Sequence, residues 1–100
     1  MRHGAKRDFL VTYDICSPAR LRKVHKLMRG HGEAVQYSVF RCFLTPTRKV
    51  KLMSRLLREI NTYEDQVILF ELGSADTAVT RPIEVLGVPM DLPEQGSKVF

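Results

Sequence analysis

The chain has 100 residues, with 16 Lys/Arg against 11 Asp/Glu, and the charge is split: residues 1–58 hold 14 bases and only Asp8, Asp14 and Glu33, a net of +11, while residues 59–100 come to −6. That length and 44% apolar residues suit one domain with a real core, and the basic half points to a polyanion partner ahead of merely solvated helix faces. No run of about 18 apolar residues marks a membrane span, no apolar stretch ahead of Asp14 marks a signal peptide, and two cysteines make neither a disulfide framework nor a four-ligand zinc set, so a cytoplasmic protein is expected.

Residues 8–14, DFLVTYD, are apolar and rich in β-formers. They predict a buried central strand with Phe9, Val11 and Tyr13 on one face and Leu10, Thr12 and Asp14 on the other. Ser17-Pro18 then opens a helix, the serine as cap and the proline at the first helical position. Its apolar stripe is Leu21, Val24, Leu27 and Met28, and Gly30 and Gly32 end it. Residues 34–44 read as two strands joined by a tight turn near Arg41, the alternative being one strand of about eleven residues.

Thr45-Pro46 repeats the cap-and-proline signature. The helix it starts runs to about Asn61, with Val50, Met53, Leu57 and Ile60 on the core face. Residues 66–72, QVILFEL, are a near-continuous apolar run and predict a central strand covered on both faces. Residues 73–82 read as a loop and IEVLGV at 83–88 as a short strand. The order is the α+β, ferredoxin-like βαββαβ sandwich with an extra C-terminal strand. It divides into a domain over 1–88 and a tail over 89–100, expected to be partly disordered. The spare strand either extends its own sheet or pairs with another protomer. A face-to-face homodimer would also cover the sheet face the helices leave bare.

Asp14 is the leading candidate for chemistry: an acid at the end of an apolar strand, just before a helix and amid bases. Capping the helix or pairing with a nearby Arg is its structural alternative. Asp8 shares its strand face but lies roughly 20 Å away, so one chain offers a poor magnesium site and two copies a better one. His25 is expected to be partly buried or exposed, without a catalytic role. Cys16 and Cys42 read as packing residues. Ser38 and Phe40 share a strand face, where Phe40 would stack on a base and Ser38 bond a phosphate; plain packing is the competing reading.

YDI at 13–15, RLRKV at 20–24, QYSVF at 36–40, LTP at 44–46, VILFEL at 67–72 and IEVLG at 83–87 together resemble the CRISPR-associated Cas-two family, partner of the Cas-one integrase. The resemblance implies a ferredoxin-like homodimer whose last strand commonly pairs with the partner's sheet. It implies that Asp14 meets its symmetry mate and that the pair holds Mg²⁺ or Mn²⁺. It implies metal-dependent endonuclease activity on RNA or double-stranded DNA, with Asp14 both catalytic and metal-binding. Arg20, Arg22, Lys23, Ser38, Phe40 and Arg41 are the expected nucleic-acid contacts. The alternatives are a non-catalytic scaffold that binds duplex DNA and bridges integrase subunits, and a single-strand RNA-binding module. AVQYSVFR at 34–41 also echoes an acylphosphatase loop, but it follows a helix and has Tyr37 where that loop needs glycine.

Overall fold

The computed structural model describes residues 5–73 and 83–89, together with the backbone of residues 97–99. In chain order the elements are β1 (Arg7–Asp14), α1 (Pro18–Arg29), β2 (Glu33–Gln36), β3 (Val39–Leu44), α2 (Pro46–Glu59), β4 (Gln66–Glu71), β5 (Ile83–Gly87) and β6 (Ser97–Val99). They form one six-stranded sheet in the order β2-β3-β1-β4-β5-β6. Its first four strands have the ferredoxin-like arrangement, with β1 antiparallel to both β3 and β4. No helix among the described residues is long and apolar enough to cross a membrane.

Alternation along β1 decides the layers. Phe9, Val11 and Tyr13 are buried, and they join Phe40, Cys42 and Leu44 of β3 and Val67 and Leu69 of β4 in one core. Val24 and Met28 of α1 and Leu52 and Leu56 of α2 close over them, so both helices lie on this face. Each helix starts as its sequence predicts. The Ser17 hydroxyl accepts from the Arg20 amide at 3.3 Å and the Thr45 hydroxyl from the Arg48 amide at 3.2 Å, each with proline next in line.

Three local expectations are corrected. The turn between β2 and β3 is at Tyr37-Ser38, not near Arg41, which sits mid-strand in β3. The core face of α2 is centred on Leu52 and Leu56; Ile60, just past its end, is buried and Met53 and Leu57 pack half-buried against the core as expected, whereas Val50 is 63% exposed. At 100° per residue the apolar side chains of α2 span an arc of roughly 160°. The helix turns one edge of that arc inward and leaves Val50 at the other. Cys16, expected to pack, is exposed, and its thiol donates to the Glu64 carbonyl at 3.0 Å.

The spare strand extends its own sheet: β5 runs antiparallel to β4, pairing Ile68 with Val85 and Gln66 with Gly87. Gly87 has φ +91°, and a β-carbon there would run into the Asp65 carbonyl oxygen, so only glycine fits. Of the tail, Ser97–Val99 adds β6 parallel to β5. The rest of the segment expected to be disordered lies outside the described residues.

Candidate nucleic-acid and metal site

The sheet face away from the helices is built from the other half of each strand's alternation. Leu10 and Thr12 of β1, Val39 and Phe43 of β3, Ile68 and Phe70 of β4 and Ile83 and Val85 of β5 project there. Phe43 is 53% exposed. Asp8 and Arg41 form a bidentate pair on this face, with guanidinium–carboxylate distances of 2.6 and 3.0 Å, and the same Arg41 lies 5.2 Å over the Phe43 ring.

Asp14 ends β1 at one rim of this face. It is exposed, and its carboxylate takes part in no hydrogen bond or ion pair among the described residues. Its partner across the sheet is Gln66, whose side-chain amide donates to the Val88 carbonyl at 2.9 Å. The β2–β3 turn closes on the same end of β1, because the Tyr13 amide donates to the Ser38 carbonyl at 3.1 Å. Asp14 and Ser38 are therefore brought together at one end of the strand.

Asp65 fixes that end. Its side chain has no exposed surface, yet it is an acid. It accepts from the Cys16 amide at 2.9 Å, the Asn61 amide at 2.8 Å and the Arg20 guanidinium at 2.8 and 3.2 Å. Its main-chain carbonyl accepts from the Val88 amide. Burial alone would raise this carboxyl, but Arg20 and the two amides outweigh burial and hold it below the usual carboxylate range. The loop leaving Asp14, the start of α1 and the α2–β4 turn are thus tied to one side chain, and the end of β5 to the main chain of the same residue.

Two expected nucleic-acid contacts are engaged elsewhere. Arg20 is committed to Asp65 and Glu64, and Arg41 to Asp8. A third is excluded: Phe40 is 0% exposed under the helices and has no face to offer a base. Phe40 and Ser38 do not share a strand face either, since Ser38 is in the turn. Arg22 and Lys23 are exposed and make no ion pair among the described residues, and the same is true of Lys26, Arg29, Arg48, Lys51, Arg55 and Arg58. Lys23, Lys26, His31 and Arg55, with Glu59, line a groove of about 410 Å³ between the helices.

Asp65 is a position at the edge of the candidate site that sequence reasoning misses. Its signal is an acid directly ahead of the apolar strand β4, but its partner Arg20 is 45 residues away in the chain. A divalent ion needs several hard oxygen donors, and the described residues hold no cluster of three or more His, Cys, Asp or Glu.

The model of the CRISPR associated protein Cas2 family matches residues 8–78. The CRISPR-associated endoribonuclease Cas2 1 of Rhodospirillum rubrum is 36% identical over 99 residues, covering 99% of this chain and 96% of that protein. The CRISPR-associated endoribonuclease Cas2 2 of Thermodesulfovibrio yellowstonii is 35% identical over 92 residues, covering 92% and 94%. Among solved structures, Streptococcus pyogenes Cas2 superposes with a TM-score of 0.62 at 41% identity, over 66% of this chain and 86% of that one. A hypothetical protein of Thermus thermophilus superposes with a TM-score of 0.67 at 29% identity, over 75% and 92%. With the family pattern matched over most of the chain and relatives aligned nearly end to end, the chain belongs to the CRISPR associated protein Cas2 family.

Proposed function

We propose that this chain is a CRISPR-associated endonuclease of spacer acquisition that hydrolyses phosphodiester bonds as a homodimer, with Asp14 of each copy forming the catalytic centre. The observation that carries this reading is the exposed carboxylate of Asp14, unpaired among the described residues, at the rim of an apolar sheet face that no described helix covers. Pairing two such faces would bury the exposed Phe43 and the half-buried Leu10 and Phe70 and set two Asp14 residues toward one another. The relatives' name, endoribonuclease, favours RNA as the substrate over double-stranded DNA.

Two Asp14 carboxylates would hold Mg²⁺ or Mn²⁺, which when bound supplies Lewis acidity and a more acidic water. The chain's own residues set the geometry. Asp65 and Arg20 pin the loop at Cys16 and so restrict how Asp14 is presented. Ser38, held by the Tyr13 amide, offers a hydroxyl to a phosphate oxygen at the same end. Asp14→Asn is expected to abolish metal-dependent RNA cleavage by the purified protein while light scattering still reports the same oligomer. Cleavage at the wild-type rate would sink the assignment.

A second reading is a duplex-binding scaffold that bridges Cas-one integrase subunits. The exposed bases of α1 and α2 favour it, because they lie on the opposite side of the sheet from its open face. Under this reading Lys51→Glu, Arg55→Glu and Arg58→Glu together weaken duplex binding and flatten its salt dependence by about one unit of slope for each phosphate no longer neutralised. Duplex binding would survive Asp14→Asn. An unchanged salt slope in the triple variant would count against the helical face as the DNA surface.

A further inference from the structure

The ring of Tyr37 is 54% exposed at the tip of the β2–β3 turn, yet it is already held in place. It lies parallel to the His25 imidazole, with centroids 4.1 Å apart and planes 11° from parallel. His25 in turn sets its edge against the buried Phe40 ring at 5.4 Å. The Tyr13 hydroxyl is 2.6 Å from the Tyr37 carbonyl, which has no proton to give, so the hydroxyl donates there. Nδ1 of His25, 3.0 Å from that hydroxyl and 3.1 Å from the same carbonyl, must then carry its own proton and donate to them. One buried tyrosine and one carbonyl thereby fix the imidazole, and the imidazole fixes one face of Tyr37.

The structural work at this turn is done by the main chain of Tyr37, through its carbonyl. The side chain contributes a flat, pre-ordered ring with its second face open. Arg22 and Arg29 stand three residues before and four after His25 on α1, on the same side of the helix. Both are exposed and unpaired among the described residues. An exposed aromatic plane flanked by cations is how proteins hold unpaired bases, the ring stacking on the base and the cations following the phosphates.

We infer that Tyr37, backed by His25, is a stacking platform for an unpaired nucleobase, with Arg22 and Arg29 holding the adjoining phosphates, so that this chain binds single strands at the edge of its helical layer. This rests on the nucleic-acid reading above and deepens it. Bases inside a duplex have no free face, so away from duplex ends the platform discriminates strand state, while stacking itself tolerates ribose or deoxyribose.

The test uses the full chain in metal-free buffer, so that cleavage plays no part and a failure of the Asp14 assignment leaves it intact. Wild-type protein and the variants Tyr37→Ala and Tyr37→Phe are titrated into a fluorescent single-stranded RNA carrying 2-aminopurine, the matching single-stranded DNA, an all-abasic strand of equal length, and a duplex. Tyr37→Ala is expected to weaken both single strands roughly 10-fold and to lose 2-aminopurine quenching. Tyr37→Phe should stay within about two-fold of wild type, and duplex affinity should move less than about two-fold in either variant. Wild-type protein should lose roughly the same factor on the abasic strand, a result that needs no variant to fold. Equal wild-type affinity for abasic and natural strands overturns the proposal. So does a parallel loss of single-strand and duplex binding in a folded Tyr37→Ala protein.

Discussion

An acid with no exposed surface persists at Asp65 because four N–H donors from three residues reach its carboxylate. Removing its charge leaves Arg20 facing a neutral amide. Asp65→Asn is therefore expected to destabilise the fold by roughly 2 kcal/mol, the scale of charge-assisted hydrogen bonds removed from a buried site. Its folded-state pKa is depressed. The stabilisation is accordingly complete well above the unfolded carboxylate value of about 3.9 and is lost as pH falls through the lower folded value. Urea melts of wild type and Asp65→Asn should differ at pH 7 and converge as the pH drops below about 4; a gap that persists in acid would mean the charge is not what stabilises. The exposed seat of Asp14 at the end of β1 was legible from the sequence because alternation along an apolar strand puts its last residue at a rim. Phe40 was misplaced for a related reason: alternation names two faces without saying which the helices cover. Arg20 and Arg41 read as free bases because Asp65 and Asp8 are remote in the chain and adjacent only in the fold.

Secondary structure was the more readable level. Serine or threonine before proline marked both helix starts, since the cap oxygen and the missing proline N–H answer the same unsatisfied amides. The face of α2 was not readable, because its apolar arc is wider than the strip a sheet can cover. That orientation is open to a paired substitution. Leu52→Ala should cost about 2–5 kcal/mol, as for other buried leucines, and Val50→Ala less than about 0.5 kcal/mol, as for surface positions. Comparable destabilisation at the two sites, read from chemical denaturation, would contradict the placement of the helix. Lys49 is not part of the exposed basic surface of this helix, since it pairs with Glu84 of β5 and lies 5.2 Å over the Phe9 ring.

At the scale of the molecule, the division of charge acquires a place. Among the described residues, the bases of β1, α1, β3 and α2 separate into those spent on internal pairs, among them Arg20, Arg41 and Lys49, and those displayed on the outer surface of α1 and α2. The acids of the later residues do part of the pairing, through Glu64, Asp65, Glu71 and Glu84. The ferredoxin-like plan was legible because element order and two apolar faces suffice to specify it. The seat of β5 was not, because a strand's pattern does not say whose sheet it joins. What remains is a sheet face that no described helix covers, with Phe43 exposed on it and an aspartate at its rim, and the proposed activity depends on that aspartate. The most direct measurement is metal-dependent cleavage of labelled RNA by rigorously purified wild-type and Asp14→Asn proteins, each checked for oligomeric state by light scattering. Loss of cleavage in an unaltered dimer is the predicted result, and cleavage at the wild-type rate by Asp14→Asn would contradict it.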